Sequence, residues 1–261
     1  MPVPDAAEDL ALLIEAAQGA GRIAARYFRE EPETWEKPDG TGPVTEADLA
    51  VDGMLRDRLC AARPGYGWLS EETPDNPERL GANRVFVVDP IDGTRAFIEG
   101  SSAFSHSLAV VEAGTVIAAV VYLPIRGKLY AAAKGGGATL NDAPIRASDA
   151  MELHKAEVLA TKHTLSPAHW PRGVPPVTRA YRPSLAYRMA LVGEGRFDAM
   201  VTFRATWEWD IAAGALIIEE AGGRVTDATG AALAFNRKVP QVPGVLAAGG
   251  ALHGPLLQAR G

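Results

Sequence analysis

The residues best suited to chemistry lie in "VFVVDPIDGTRAF", from Val85 to Phe97. An apolar run stops at Asp89, and a second carboxylate, Asp92, follows three residues later. Two carboxylates this close repel each other unless a proton, a basic side chain or a metal neutralises them. Arg95 is the only cation nearby in sequence. An all-oxygen donor set is hard and favours magnesium or manganese, and the missing Cys and His ligands disfavour zinc. Gly93 and Thr94 follow at once. If a helix or turn opens there, their amides can hold a phosphate, glycine permits the close approach, and the threonine hydroxyl can orient a water. Metal ligands on one side of a loop and anion donors on the other serve metal-assisted phosphoryl transfer to water. Taken alone, "DPIDGT" reads equally as an acidic turn, since Asp-Pro and Asp-Gly are common turn dipeptides.

Three other acidic clusters stand at loops or element boundaries: Asp48 in "VTEAD", Glu71 and Glu72 in "LSEE", and Asp210 in "WEWD". Boundaries suit ligands carried on rigid scaffold ends. Each has an ordinary alternative. Asp210 would cap a helix that it opens, Asp48 would complement a helix dipole, and Glu71–Glu72 would be a solvated pair. The four clusters together point to a site more strongly than any one. Of the histidines, His154, His163 and His169 lie in a polar stretch without ligand spacing, as surface residues, and His106 lies in a strand-like run where packing or hydrogen bonding is expected. Trp207 and Trp209 flank Glu208, as a pocket wall or as core.

The elements that must position these groups follow from pattern. Residues 8–30 carry Leu10, Leu13, Ile14, Ala17, Ala20 and Ala24 at helical spacing. Prolines and glycines break the pattern in "EEPETWEKPDGTGPVTEAD", a loop or hairpin. A second helix begins near Thr45, whose hydroxyl caps it. "YGWLSEE" is a short strand, and "RVFVVD" is a strand covered on both faces. Residues 104–133 form a meander with turns at Ala113-Gly114 and Arg126-Gly127. "KGGGATLNDAPI" lacks the strand-to-helix context of a phosphate cradle and reads as a tight hairpin. Composition turns polar over 149–182. Then "RPSLAYRMALVGEG" (helix), "RFDAMVTF" (strand), "WDIAAGALIIEEAGG" (helix) and "RVTDATGAAL" (strand and turn) alternate as an α/β unit.

The chain's 261 residues suffice for one large domain or two closely packed smaller ones. Hydrophobic residues make up 47% and charged residues 22%, which is ordinary for a globular protein. The formal net charge of −6 argues against a nucleic-acid polymer or an anionic membrane as partner. It leaves room for a phosphorylated substrate beside a metal. A lone Cys60 excludes a disulfide within the chain and suits a reducing compartment. With no secretory pattern at the start and no membrane-length apolar run, a cytoplasmic protein is expected.

These residues resemble the inositol monophosphatase family of magnesium-dependent, lithium-sensitive phosphatases. Residues 89–97 match its D-P-[IL]-D-G-T-x-x-F motif, Trp209–Gly223 match its W-D-x-A-A-G motif, and "PVTEAD" and "LSEE" match its upstream boxes in order. The resemblance implies a layered α-β-α-β-α sandwich of the inositol monophosphatase/fructose bisphosphatase type. Residues 1–145 would form an N-terminal α+β half, and 146–261 an α/β half contributing Asp210. It implies two or three magnesium ions, with manganese possible. Glu71, Asp89 and the Ile91 carbonyl would hold the first, Asp89, Asp92 and Asp210 the second, and a third would share Glu71. The amides of Gly93 and Thr94 would grip the phosphate, while Thr94 and Asp48 would position and deprotonate the attacking water. A small phosphorylated metabolite and a homodimer are the implied partners.

In inositol monophosphatases proper, a glutamate seven residues before the final aspartate contacts the ring. Here that count reaches Phe203, beside Arg204 and Glu208. "KPDGTGPVTEAD" looks more like the K-x-D-x-S-P-V-T-x-A-D box of 3′(2′),5′-bisphosphate nucleotidases and histidinol phosphatases, with one extra residue between Lys37 and Pro43. A nucleotidase-like substrate is therefore expected, with inositol-1-monophosphatase or histidinol-phosphatase activity as alternatives. Arg182 and Arg204 are candidates for a second phosphate. The rival from another class is a non-catalytic protein that binds metal or phosphate.

Overall fold

A computed structural model describes residues 5–37, 40 and 42–261. Helix α1 (Ala6–Tyr27) starts on Asp5, whose carboxylate accepts the Glu8 amide, and it buries Leu13, Ala17, Ala20 and Ala24 as the spacing requires. Strands β1 (Thr34–Glu36) and β2 (Pro43–Thr45) pair as the antiparallel hairpin expected before α2 (Glu46–Ala62). Pro38, Asp39 and Thr41 of the nucleotidase-like box lie outside the described residues. Then come β3 (Gly67–Ser70), β4 (Arg84–Asp92), the short α3 (Thr94–Ile98), β5 (Ser105–Glu112), β6 (Thr115–Leu123), β7 (Lys128–Ala133), β8 (Ala138–Leu140) and β9 (Ala143–Pro144). β3 to β9 form one seven-stranded sheet in sequence order.

The chain crosses to a second sheet through β10 (Glu157–Leu159) and β11 (Thr178–Ala180). It continues as α4 (Leu185–Gly193), β12 (Ala199–Thr202), β13 (Thr206–Trp207), α5 (Glu208–Glu220), β14 (Gly223–Asp227), β15 (Gln241–Val242), β16 (Val245–Gly249) and α6 (Gly250–Arg260). The second sheet runs β11-β10-β12-β16-β14; β10 is parallel to both its neighbours, and β16 is antiparallel to both of its own. The polar stretch 149–182 thus supplies two strands that composition concealed, because each is only three residues long.

Alternation within strands builds the layers. Phe86, Val88, Leu108, Val110 and Val120 face α1 and α2, while Val85, Val87, Ala109, Val111 and Val121 face α4 and α5. The other side of α4–α5 packs on Leu159, Met200, Val245 and Ala247, and α6 covers the far face through Leu252 and Leu256. The result is the expected α-β-α-β-α sandwich. Each fully buried Leu, Val or Phe stabilises it by roughly 1.5–3 kcal/mol before entropic costs. The central helices touch so closely that a Cβ on Gly214 would run into the Met189 side chain, which gives that glycine of "WDIAAG" a packing reason. No helix among the described residues is long and apolar enough to cross a membrane.

Candidate active site

β4 runs through Asp92 and loses register with β5 at its end. Asp89 pairs with Ser107 and Asp92 with Ser105, so Pro90 and Ile91 together face the single residue His106. This is a β-bulge. The carbonyl that the bulge pushes out of the ladder is recovered by His106, whose Nδ1 lies 2.5 Å from Pro90 O. Burial pulls the His106 pKa down to about 4, so the ring is neutral and Nδ1–H is the donor. His106 therefore hydrogen-bonds, as expected of it, at the turn that carries the aspartates.

Past the bulge, Gly93 adopts φ +99°, a left-handed conformation that favours glycine, and caps α3. Thr94 Oγ1 lies 3.1 Å from both Asp48 Oδ1 and Ile91 O. Asp48 occupies the third position of α2 and forms a capping box: the Thr45 amide and hydroxyl donate to its Oδ2 at 2.8 and 2.6 Å. That leaves Oδ1 for Thr94. Burial lifts the Asp48 pKa to about 6 against these hydrogen bonds.

The clustered carboxylates come from three places in the chain. Oxygens of Glu71, after β3, Asp89, at the end of β4, and Asp210, in α5, lie within 4.8 Å of one another. Burial, reinforced by Glu71, Asp92 and Asp210, holds Asp89 well above the ordinary carboxylate range, and Asp210 is raised by burial and by Asp92 and Glu71. Asp89 Oδ1 is buried without a hydrogen-bond partner among the described residues. A buried orphan acceptor beside two more carboxylates fits a hard divalent cation. Asp92 stands apart from that trio, and its Oδ2 accepts from Ser184 Oγ and from the Ala186 amide, both at 2.6 Å. Asp210 is not the helix cap that its position implied. Trp207 is the cap, and Asp210 falls in the first turn, because α5 begins at Glu208. Ser107, the partner of Asp89 across the ladder, donates to Trp209 O at 2.8 Å and so ties Asp210's helix to the bulged strand. Lys37 reaches Glu71 and Glu72 at 2.7 and 2.8 Å. Burial opposes its charge, but the two glutamates raise its pKa. Glu72 is itself pushed up to about 7 by burial.

Lys37, Glu71, Asp89, Asp92, Gly93, Thr94 and Asp210 line one cavity of about 570 Å³, which Tyr181, Arg188, Thr202, Arg204 and Trp207 also line. Trp207 and Trp209 both line it as a stacked pair, centroids 4.6 Å apart. Two expected pocket residues lie elsewhere. Phe203 packs its ring on Trp170 and His169, each at 5.3 Å, and Thr202, one residue earlier in β12, lines the cavity instead. Glu208 is fully buried and accepts the amides of Asn236 and Arg237, so it anchors that loop. Arg182 lies over Phe197 outside the cavity, and Arg188 takes its place there. His163 and His169 pair at the exposed surface, 3.1 Å apart. The sequence alone does not single out Ser107 and Ser184, whose partners Trp209 and Asp92 are distant in the chain, or Arg188, which bonds the nearby carbonyls of Arg182 and Pro183. For Ser184 the one local signal is its place before a helix.

A model of the inositol monophosphatase family matches residues 5–261. The inositol-1-monophosphatase of Rhizobium meliloti (strain 1021) is 36% identical over 238 residues, covering 85% of this chain and 86% of that protein. The histidinol-phosphatase of Chlorobaculum parvum is 34% identical over 231 residues, with 85% and 86% covered. A solved IMPase of Thermotoga maritima superposes with a TM-score of 0.84 at 28% identity, covering 97% of this chain and 96% of that one.

Proposed function

The chain belongs to the inositol monophosphatase family and is a phosphoric monoester hydrolase, and from that premise we propose that it releases phosphate from a small metabolite with magnesium bound at Glu71, Asp89, Ile91 O, Asp92 and Asp210. The observation that carries this is the orphaned Asp89 Oδ1 within the Glu71–Asp89–Asp210 cluster, next to the Gly93–Thr94 turn. Bound there, divalent ions supply Lewis acidity to the phosphoryl oxygens and ease ionisation of a water. The chain's own residues do the rest. The amides that open α3 receive the phosphate. Thr94 Oγ1 takes a proton from the attacking water and passes its own to Asp48 Oδ1, 3.1 Å away. The Thr45 bonds keep Asp48 ionisable despite its burial. The phosphoryl group passes directly to the water oxygen as its bond to the ester oxygen breaks, and that oxygen takes a proton from solvent and leaves as the alcohol, without a phosphoenzyme.

The choice of ester divides on separate observations. The names of the relatives favour inositol 1-phosphate and histidinol phosphate over a 3′(2′),5′-bisphosphate. Arg188 and Arg204 in the cavity lining favour a more anionic ester, since guanidinium groups pair with anionic oxygens. The non-catalytic alternative fits poorly, because Asp48, Glu71, Asp89, Asp92, Thr94 and Asp210 are all present. The test is a magnesium titration against inositol 1-phosphate, histidinol phosphate, adenosine 3′,5′-bisphosphate and fructose 1,6-bisphosphate. Magnesium-stimulated phosphate release, abolished by chelation, is expected from at least one. Release from none, at any magnesium concentration, overturns the proposal.

A further inference from the structure

Outside the cavity, the segment between β10 and β11 gathers two histidines that the phosphatase chemistry does not use. His163 is exposed and His169 half-buried. Their Nε2 atoms lie 3.1 Å apart, with ring centroids 4.8 Å apart and ring planes at 84°. A neutral imidazole carries one donor and one acceptor nitrogen, so a hydrogen bond between two Nε2 atoms requires opposite tautomers. A straight bond also sets each ring centre about 1.15 Å directly behind its nitrogen, which puts the centres about 5.4 Å apart. The observed centres are closer, so the outward axes of the two nitrogens do not meet end to end.

A shared metal ion accounts for both distances. Imidazole nitrogens bind zinc at about 2.0–2.1 Å, along the nitrogen's outward axis, so a ring centre lies about one and a half times as far from the ion as its nitrogen does. Two rings on one ion then have centres about one and a half times as far apart as their nitrogens. The measured 4.8 and 3.1 Å stand in that ratio. Near-perpendicular planes keep the two rings clear of each other.

The loop holds the pair in place. The His163 carbonyl accepts the Ser166 amide at 3.0 Å, and a 3₁₀ turn over Pro167–His169 follows, with its start fixed by Pro167. Trp170, which is buried, anchors the turn by donating its indole N–H to the Thr164 carbonyl at 2.8 Å. The Thr161 and Thr164 hydroxyls bond each other at 2.8 Å across the same loop. The His169 ring rests on Phe203, centroids 5.3 Å apart. Ligands positioned before an ion arrives lose less freedom when it binds.

We propose that His163 and His169 form a second metal site, chelating one zinc or nickel ion through their Nε2 atoms, apart from the carboxylate cluster. The two sites sort metals by donor chemistry, because imidazole suits zinc and nickel whereas magnesium takes oxygen ligands. Two protein ligands leave the remaining coordination positions to water. Thr161, at the start of the loop, also lines the cavity, so an ion at the pair fixes a segment that reaches the catalytic site.

The experiment titrates zinc and nickel separately into tag-free protein by calorimetry, with magnesium at saturation so that the carboxylate cluster is occupied. One ion per chain should bind to the wild type, and Asp89→Asn should bind it equally. His163→Ala changes an exposed side chain, and His169→Phe keeps a ring against Phe203. Each should weaken binding by at least about tenfold, since even groups that only orient a ligand are worth about 10–100-fold. The ion should raise the thermal midpoint of the wild type and leave that of both histidine variants where it is in chelator. Absence of zinc and nickel binding at saturating magnesium overturns the site. So does binding that either histidine variant retains unchanged, or that Asp89→Asn alone abolishes, because the ion would then sit in the carboxylate cluster.

Discussion

The two ends of the cavity are built differently. At one end, the β4–α3 turn from Asp89 to Thr94 is buried or half-buried, and much of its polar equipment is held by neighbours. His106 holds Pro90 O, Ser184 and Ala186 hold Asp92, and Asp48 faces Thr94. On the Thr202–Trp209 connection stand an exposed arginine, a turn that Thr206 braces before pairing with β15, and a stack of two indoles. The first end is held at many points and, among the described residues, leaves two buried acceptors without a partner, Asp89 Oδ1 and His106 Nε2. The second is pinned through β13 and Trp209 but keeps Arg204 exposed, without a salt-bridge partner among the described residues. Rigidity with a vacancy suits bond-making, which needs fixed geometry. Unpaired groups on a surface loop suit selection among partners. Changes at the first end should therefore affect all esters alike, and changes at the second should separate them.

The largest effect that tests this division is Asp89→Asn. We expect kcat/KM to fall by at least about 10³-fold on every ester that turns over, as when a centrally placed charge at the reacting oxygens is removed. The metal-free protein should hold or gain stability. The Asp89 pKa is raised in the fold, so folding binds its proton more tightly than the unfolded chain does, and stability is lost as pH rises above the unfolded value. Asparagine removes that penalty. Steady-state kinetics and a thermal melt in chelator check both outcomes. A variant that keeps its rate, or loses it on one ester only, breaks the comparison.

A smaller effect should follow from His106. His106→Leu keeps the volume roughly and removes the donor that satisfies Pro90 O, while His106→Asn retains a donor on a shorter side chain. Groups that orient a ligand from behind are worth about 10–100-fold in metal affinity. We expect the magnesium half-saturation to rise by that factor in the leucine variant and to recover in part with asparagine, as read by calorimetric magnesium binding as well as by activity. An unchanged magnesium affinity in His106→Leu would show that the bulge holds its shape without the imidazole.

The division also explains what the sequence makes legible. Asp89, Asp92, Gly93 and Thr94 fall within six residues, so local order alone places them, and the cap at Thr45 follows from residue type. The supports do not, since Pro90–His106, Asp92–Ser184 and Ser107–Trp209 are 16, 92 and 102 residues apart. Phe203 failed as a pocket residue because counting along a chain ignores strand alternation. β12 ends at Thr202, which lines the cavity, and Phe203, the next residue, turns to the other side and packs on Trp170. Glu208 failed because a charged residue beside a motif looks accessible, whereas two loop amides pay for its burial. The strand β16 and helix α6 escaped notice entirely: α6 begins on Gly250 and contains Gly254 and Pro255, all poor helix formers held in place by packing.

The smallest expected effect is a pH limb that belongs to the rigid end alone. Asp48 must be ionised to accept the Thr94 proton, and burial sets its pKa at about 6. As pH falls through that value the active fraction drops, to about half at pH 6 and then about tenfold per unit. Substrate phosphate also titrates near 6, so the limb needs an owner. Thr45 donates two hydrogen bonds to Asp48 Oδ2, and both lower its pKa. Thr45→Ala removes the hydroxyl's share, worth about 1 kcal/mol, and should move an Asp48 limb upward by about half a unit to one unit. A substrate limb would stay where it is. The shift should appear in kcat at saturating magnesium and be the same for esters with and without a second anion. A limb that moves for one class of ester and not the other would mean that the two ends of the cavity are coupled.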